Sequence, residues 1–169
     1  MSDFSGFTPQ KLDIAIGNNG FFPVLNLGDL QERHRIPSDY RQATVGAQTV
    51  AALIEVNRLL NPKLCEWQRG GYDALAAVPC AELGEPGAPD HLHELTELYK
   101  TAVFARAKAK LVRHYQSLNR SDRAARFQNK YPGMEWEDEN VQDFMDESAR
   151  AIAMILGDEP AAALRAAAV

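Results

Sequence analysis

LTELYKTAVFARAKAKLV, residues 95–112, decides the fold. Leu95, Leu98, Ala102, Ala105, Ala109 and Val112 recur at spacings of three and four, the period of one helix face rather than of a strand. Glu94 and Glu97 stand near the start of the pattern, where a helix dipole favours anions. Lys108, Lys110 and Arg113 stand near its end, where the dipole favours cations. Asp90 is placed to cap this helix. The three Ala of the seam are small enough to let another helix approach closely.

Two further helical patterns flank it. Upstream, Val50, Leu53, Asn57, Leu60, Leu64 and Trp67 repeat the same spacing and predict a core-facing helix closed by Gly70-Gly71. Pro62 interrupts that run. With Asn61 as cap and Pro62 in the first helical position, the reading is a kink or two abutting helices. Downstream, Val141, Phe144, Ser148, Ile152 and Ile155 predict a last helix from about Glu135 or Glu139 to Leu156, with Gly157 as its stop. Between the second and third patterns, Gln116 to Trp136 is polar and reads as a basic loop with one helical turn near Asp122 to Phe127.

The remaining segments are short or irregular. Asn26 can cap a helix over Leu27 to His34, which Pro37 ends. Residues 72–89 hold three Pro and two Gly and read as a loop with one turn at Asp73 to Ala77. Residues 1–25 read as an N-terminal arm, 26–157 as the helical domain, and 158–169 as an Ala-rich tail expected to be disordered in isolation. The fold class is therefore all-α, a bundle of about four to five helices with an extended arm and a tail.

A chain of 169 residues suits one domain with a real core. Cys65 and Cys80 lack metal-ligand spacing, and the N-terminus shows no signal-peptide pattern, which points to a reducing cytoplasm. No apolar run approaches the roughly 20 residues that cross a bilayer, so a soluble protein is expected. The net charge of −5 disfavours generic nucleic-acid binding. That value hides a segregation: Lys100 to Lys130 carries nine Lys and Arg against one acid, and Tyr131 to Pro160 carries nine acids against one Arg. Such blocks allow a basic face of one subunit to meet an acidic face of the next, a head-to-tail contact that makes a ring when its rotation closes.

Candidate chemistry is thin. His91 and His93 are two apart, and side chains two apart on a helix point in different directions. The cluster Glu135-Trp136-Glu137-Asp138-Glu139 lacks the spacing and glycine of a calcium loop and suits the first turn of a helix. Neither cysteine has a nucleophile's signature, and no phosphate-cradling glycine loop is present. No enzymatic activity, cofactor or metal is expected. Asn57 is a lone polar residue in an apolar seam and must find a partner, since an unpaired buried polar group costs about 1–3 kcal/mol. Asn19-Gly20-Phe21-Phe22-Pro23-Val24-Leu25 sets two Phe and a Pro in a segment without helical periodicity, and something must cover those rings.

In order and spacing, these pieces resemble one family. The landmarks are Gly20-Phe21-Phe22-Pro23 with Leu27 and Leu30; Val56-Asn57-Arg58-Leu59-Leu60 leading to Trp67; Gly71-Tyr72 with Leu75 and Val78-Pro79; Leu98-Tyr99, Ala102-Val103 and Ala105-Arg106-Ala107 through Tyr115; and Ala151-Ile152 with Ile155-Leu156-Gly157. From about Gly20 to Gly157 the chain resembles the head completion, or head stabilisation, proteins of tailed bacteriophages, the GpL family. The resemblance implies a helical head-tail connector that binds the portal protein after DNA packaging, closes the filled capsid and offers a platform to a tail terminator or neck protein. It implies a homo-oligomeric ring, often of twelve subunits, at the virion neck, lining the DNA exit channel without sequence-specific DNA binding and assembled in the host cytoplasm. Phe21, Phe22 and Pro23, with the C-terminal tail, are the expected portal contact or the anchor of the arm on its own body. Lys108, Lys110 and Arg113, facing Glu139, Asp143 and Asp146, are the expected subunit contact. The rival reading is a small helical nucleic-acid-binding regulator that uses 106–130 as its phosphate face.

Overall fold

The computed structural model describes residues 13–36, 40–84, 92–130 and 141–157, with side chains described to Tyr115 in the third of these spans. The order is β1 (Ala15–Ile16), β2 (Leu25–Asn26), α1 (Leu27–His34), α2 (Gln42–Arg69), a single 3-10 turn (Leu75–Ala77), β3 (Glu82–Leu83), β4 (Leu92–His93), α3 (Glu94–Lys130) and α4 (Val141–Leu156). β1 pairs antiparallel with β2, and β3 with β4, as two separate two-residue ladders. The fold is mostly helical, with four α-helices among the described residues.

α3 is the centre of the molecule. Ala102, Val103, Phe104, Ala105, Ala107, Ala109, Leu111 and Val112 are all buried, so the helix is covered well beyond the single seam its spacing predicts, and Arg106, Lys110 and Arg113 mark its more open side. α4 and α2 cover most of it, and α1 packs near its start. Ala at 102, 105, 107 and 109 keeps the backbones close, and Ser148 of α4 uses that proximity by donating its hydroxyl to the Ala102 carbonyl at 2.8 Å.

Several expectations change. α2 is one helix that carries through Pro62, not two. Pro62 is exposed, so water can serve the Arg58 carbonyl that the missing N–H leaves free. Val50, expected in the core seam, faces outward at 40% exposure, and the buried line is Val45, Thr49, Ala52, Leu53, Val56, Leu60 and Trp67. Backbone of 116–130, expected as a loop, continues α3 to Lys130. That stretch lacks Pro and Gly, and extending a formed helix avoids the nucleation cost that makes an isolated polar segment read as loop. α3 begins at Glu94; Asp90, its expected cap, lies outside the described residues. Asn26 does cap α1, its side chain accepting from the Gly28 N–H at 2.7 Å. α4 ends at Leu156, and Gly157 takes the positive φ of 83° that stops a helix.

Candidate functional site

Residues 13–26 are bound to the body by a built-in turn. Asn19 accepts from the N–H groups of Phe21 and Phe22 through its Oδ1, at 3.2 and 3.1 Å, while Gly20 sits at φ 89°, a conformation open to glycine. The turn delivers both rings inward. Phe21 and Phe22 are 4% and 3% exposed and belong to the central hydrophobic cluster. Phe21 stacks on Trp67 of α2 at 5.9 Å between centroids, and Phe22 on Tyr99 of α3 at 4.6 Å. The Leu75 N–H donates to the Phe21 carbonyl at 2.9 Å, which ties the segment to the loop after α2.

A closed hydrogen-bond ring locks it from the other side. The Tyr99 hydroxyl donates to Asn57 Oδ1 at 2.7 Å, Asn57 Nδ2 donates to Asn18 Oδ1 at 2.8 Å, and Asn18 Nδ2 donates to the Tyr99 oxygen at 2.8 Å. Asn18 Nδ2 also reaches the Pro23 carbonyl at 3.1 Å. Asn57 thus has the partner its place demands, and α2, α3 and the N-terminal segment meet at one point. Burial pushes the Tyr99 hydroxyl up to about 12, with the Asn18 and Asn57 hydrogen bonds pulling the other way.

The outer side of this segment is open. Beside it lies a hollow of about 310 Å³ between Gly20 to Val24 and the residues Ala74, Ala76 and Thr96. Val24 stands at 62% exposure, while Pro23 is half-buried. The surface that the aromatic stretch turns outward is therefore Pro23 and Val24 with the rim of this hollow.

The basic end of the central pattern is turned largely inward. Arg106 Nη1 pairs with Glu55 Oε2 at 3.2 Å and Lys110 Nζ with Glu55 Oε1 at 2.6 Å, while Arg106 Nε donates to Ser148 Oγ at 3.2 Å. Lys108 is 3% exposed, its ammonium 5.6 Å from the centre of the Phe144 ring. Arg113 is exposed. On α4, Asp143 and Asp146 are exposed, and Asp146 accepts from Gln142 at 2.6 Å; Glu139 lies outside the described residues. Lys108 and Lys110 are thus engaged within their own chain, which sequence spacing could not reveal, because Glu55 stands 55 residues from Lys110 and the Phe144 ring beside Lys108 belongs to another helix.

Partial burial raises the Glu55 carboxyl, but the hydrogen bonds and charges of Lys110 and Arg106 together outweigh it and hold its pKa below 4.5. A carboxylate depressed on folding contributes stability above its unfolded pKa and loses it as pH falls through the folded value. Glu55→Gln is therefore expected to lower the urea midpoint at pH 7 and to leave it equal to wild type once the pH is well below 4.5. The side chain is 43% exposed, so solvent screening limits the difference to about 1 kcal/mol or less. An unchanged gap between the two proteins across that acid range would show that the pair contributes nothing.

One pairing escaped sequence reading. Cys80 Sγ lies 3.3 Å from His93 Nε2, although no motif connects them. The same Nε2 is 3.1 Å from the Val78 carbonyl, and Nδ1 is 3.2 Å from the Thr96 hydroxyl. A carbonyl can only accept, so Nε2 carries the proton and Nδ1 accepts from Thr96. No group of three or more metal-ligating side chains occurs among the described residues. His91 and the acidic cluster 135–139 lie outside them.

Residues 16–164 match the family model described as phage head completion protein (GPL). The chain is also 31% identical over 116 residues to the "Probable head completion/stabilization protein" of Haemophilus phage HP1 (strain HP1c1), covering 69% of this chain and 73% of that protein. No solved structure matches it.

Proposed function

The chain belongs to the phage head completion protein (GPL) family, and from that membership we propose that it acts as a structural head-tail connector rather than an enzyme. Its role in phage head assembly follows from the family. In our reading it binds the portal vertex after packaging, closes the filled head and presents a platform to a tail terminator or neck protein, as a homo-oligomeric ring of about the portal's own symmetry at the virion neck. The family match over residues 16–164 carries this reading.

The buried aromatic rings refine the docking surface. Phe21 and Phe22 fill their own core, so the portal contact is assigned to what the segment shows outward: Pro23, Val24 and the rim of the adjoining hollow. The tail, 158–169, keeps its proposed part in that contact and lies outside the described residues. For the subunit contact, Arg113 with Asp143 and Asp146 remain the exposed charges; an acidic α4 face along the channel would let DNA pass without the fixed phosphate contacts that make binding tight. The inward turn of Arg106, Lys108 and Lys110 takes three cations away from a phosphate face and disfavours the nucleic-acid regulator.

Val24→Asp tests the docking surface. The residue is exposed, so stability should stay within about 0.5 kcal/mol of wild type. Particles assembled with the variant should retain less DNA and accept fewer tails, and the purified variant should bind portal more weakly in a mass measurement of the mixture. Normal particle yield with Val24→Asp would overturn this assignment.

A further inference from the structure

We propose that residues 116–130 of α3 form an arm that lies along the acidic α4 face of a second copy, so that one chain grips the next head to tail. The arm is defined by where the other helices begin. α2 runs antiparallel to α3: Asn57 meets Tyr99, and Glu55 meets Arg106 and Lys110. Just before α2 starts at Gln42, the Arg41 N–H donates to the Tyr115 hydroxyl oxygen at 3.0 Å. α4 is antiparallel as well, with Ser148 on the Ala102 carbonyl and Phe144 beside Lys108. Its first residue, Val141, therefore stands near the level of Leu111. Beyond Tyr115 the α3 backbone stays helical to Lys130, which carries it about 22 Å past the starts of both neighbours.

That stretch is basic along one side. Residues 116–130 contain Arg120, Arg123, Arg126 and Lys130 against one acid, Asp122. At about 100° per residue, these four positions and Arg113 fall within an arc of about 140°, and Asp122 falls outside it. The exposed acids of the chain's own α4 are out of reach. Asp143 and Asp146 sit within a turn of the level where Phe144 meets Lys108, about 16 Å or more along the axis from Arg120. That gap exceeds the ~8–10 Å over which exposed charges act through salt.

The two charges are thus complementary but held apart within one chain, and they are matched between chains. Length agrees too: α4 spans about 24 Å, close to the arm's own reach. Arm and face are different surfaces, which makes the contact heterologous. Every copy offers one of each, and the series closes into a ring when its rotation allows. This inference rests on the subunit contact proposed above and names the element that makes it.

Sedimentation of the full chain from micromolar to millimolar concentration at low salt should show self-association that weakens as salt is added. Charge reversal then identifies the two surfaces. The triple variant Arg120→Glu, Arg123→Glu, Arg126→Glu and, separately, the double variant Asp143→Lys, Asp146→Lys should each weaken self-association about tenfold or more. An equimolar mixture of the two should associate again, in strict alternation, because each reversed arm then meets a reversed face and each native arm a native face. Circular dichroism checks that both variants stay helical; if the lysine pair disturbs the start of α4, Asp143→Asn with Asp146→Asn should give a smaller loss of the same sign. A chain that is monomeric at millimolar concentration, variants that associate like wild type, or a mixture that fails to associate would each overturn the arm. So would a short DNA duplex bound by wild type and lost by the arm variant while self-association is intact, which would give the face to DNA phosphates. Portal binding by a strictly monomeric chain would sink the arm and leave the connector reading standing. Self-association that obeys the charge swap in a chain that ignores portal would do the reverse.

Discussion

Phe22→Ala is expected to destabilise the protein by about 3–5 kcal/mol, the usual cost of emptying a buried Phe site. The ring is 3% exposed, lies parallel to Tyr99 at 4.6 Å between centroids and meets Phe21 edge-on at 5.4 Å. Two aromatic neighbours anchored in a turn and in α3, with Phe21 itself held against Trp67 of α2, leave little that can collapse into the space. At roughly 2–4 °C per kcal/mol for a chain of this size, thermal unfolding should fall by on the order of 10 °C. Phe22→Leu should lose less, since it keeps apolar volume and forfeits mainly the stacked ring contact. The comparison with Val24→Asp, two residues away and near neutral, separates an integrated segment from a free arm. A Phe22→Ala protein within about 1 kcal/mol of wild type would mean that the rings are not held in the core. The result also changes how particle assays are read: loss of assembly in Phe21→Ala or Phe22→Ala proteins reports a weakened fold as readily as a lost contact.

The parts of the fold that were legible in sequence are those set by local rules. α1 begins at Leu27 after its cap Asn26 and ends at His34, α2 closes at Gly70-Gly71, and α4 stops at Gly157, because caps and positive-φ glycines act within a few residues of where they stand. What failed needed partners from far along the chain. Val50 fits a core seam by spacing, yet α2 has apolar residues on both sides over its first half, and only α3's position decides which side is covered. The central place of α3 was visible in hindsight in Val103, Phe104, Ala107 and Leu111, which lie off the chosen seam and are equally apolar. The docked aromatic segment depends on Asn18 and Asn19, which read as turn residues but whose side chains reach Asn57, Tyr99 and the Phe amides. The basic stretch looked like a surface because Glu55, its counter-charge, sits on another helix.

The Asn18–Asn57–Tyr99 ring makes the second large prediction, and its diagnostic is non-additivity. Asn57→Ala removes the acceptor of the Tyr99 hydroxyl and one of the two donors to Asn18 Oδ1, which keeps the Asn19 N–H at 2.9 Å, so the Tyr99 O–H is the group left unpaired beside the core. Such an orphaned group costs about 1–3 kcal/mol. Tyr99 is fully buried, so water cannot readily replace the lost partner of its hydroxyl. Tyr99→Phe keeps the ring under Phe22 and deletes only the hydroxyl, which costs less because Asn18 Nδ2 still has the Pro23 carbonyl. In a closed ring each bond polarises the next, so the three residues should behave as one unit. Once Asn57 is gone, the Tyr99 hydroxyl is a liability, and removing it should recover part of the loss. The double variant is therefore expected to be no less stable than Asn57→Ala alone, with a coupling of about 0.5–3 kcal/mol in a urea double-mutant cycle. Strictly additive losses would mean that the ring does not close in solution, and the N-terminal segment would then be held by its two Phe rings and its backbone hydrogen bonds to Leu75 and Leu27.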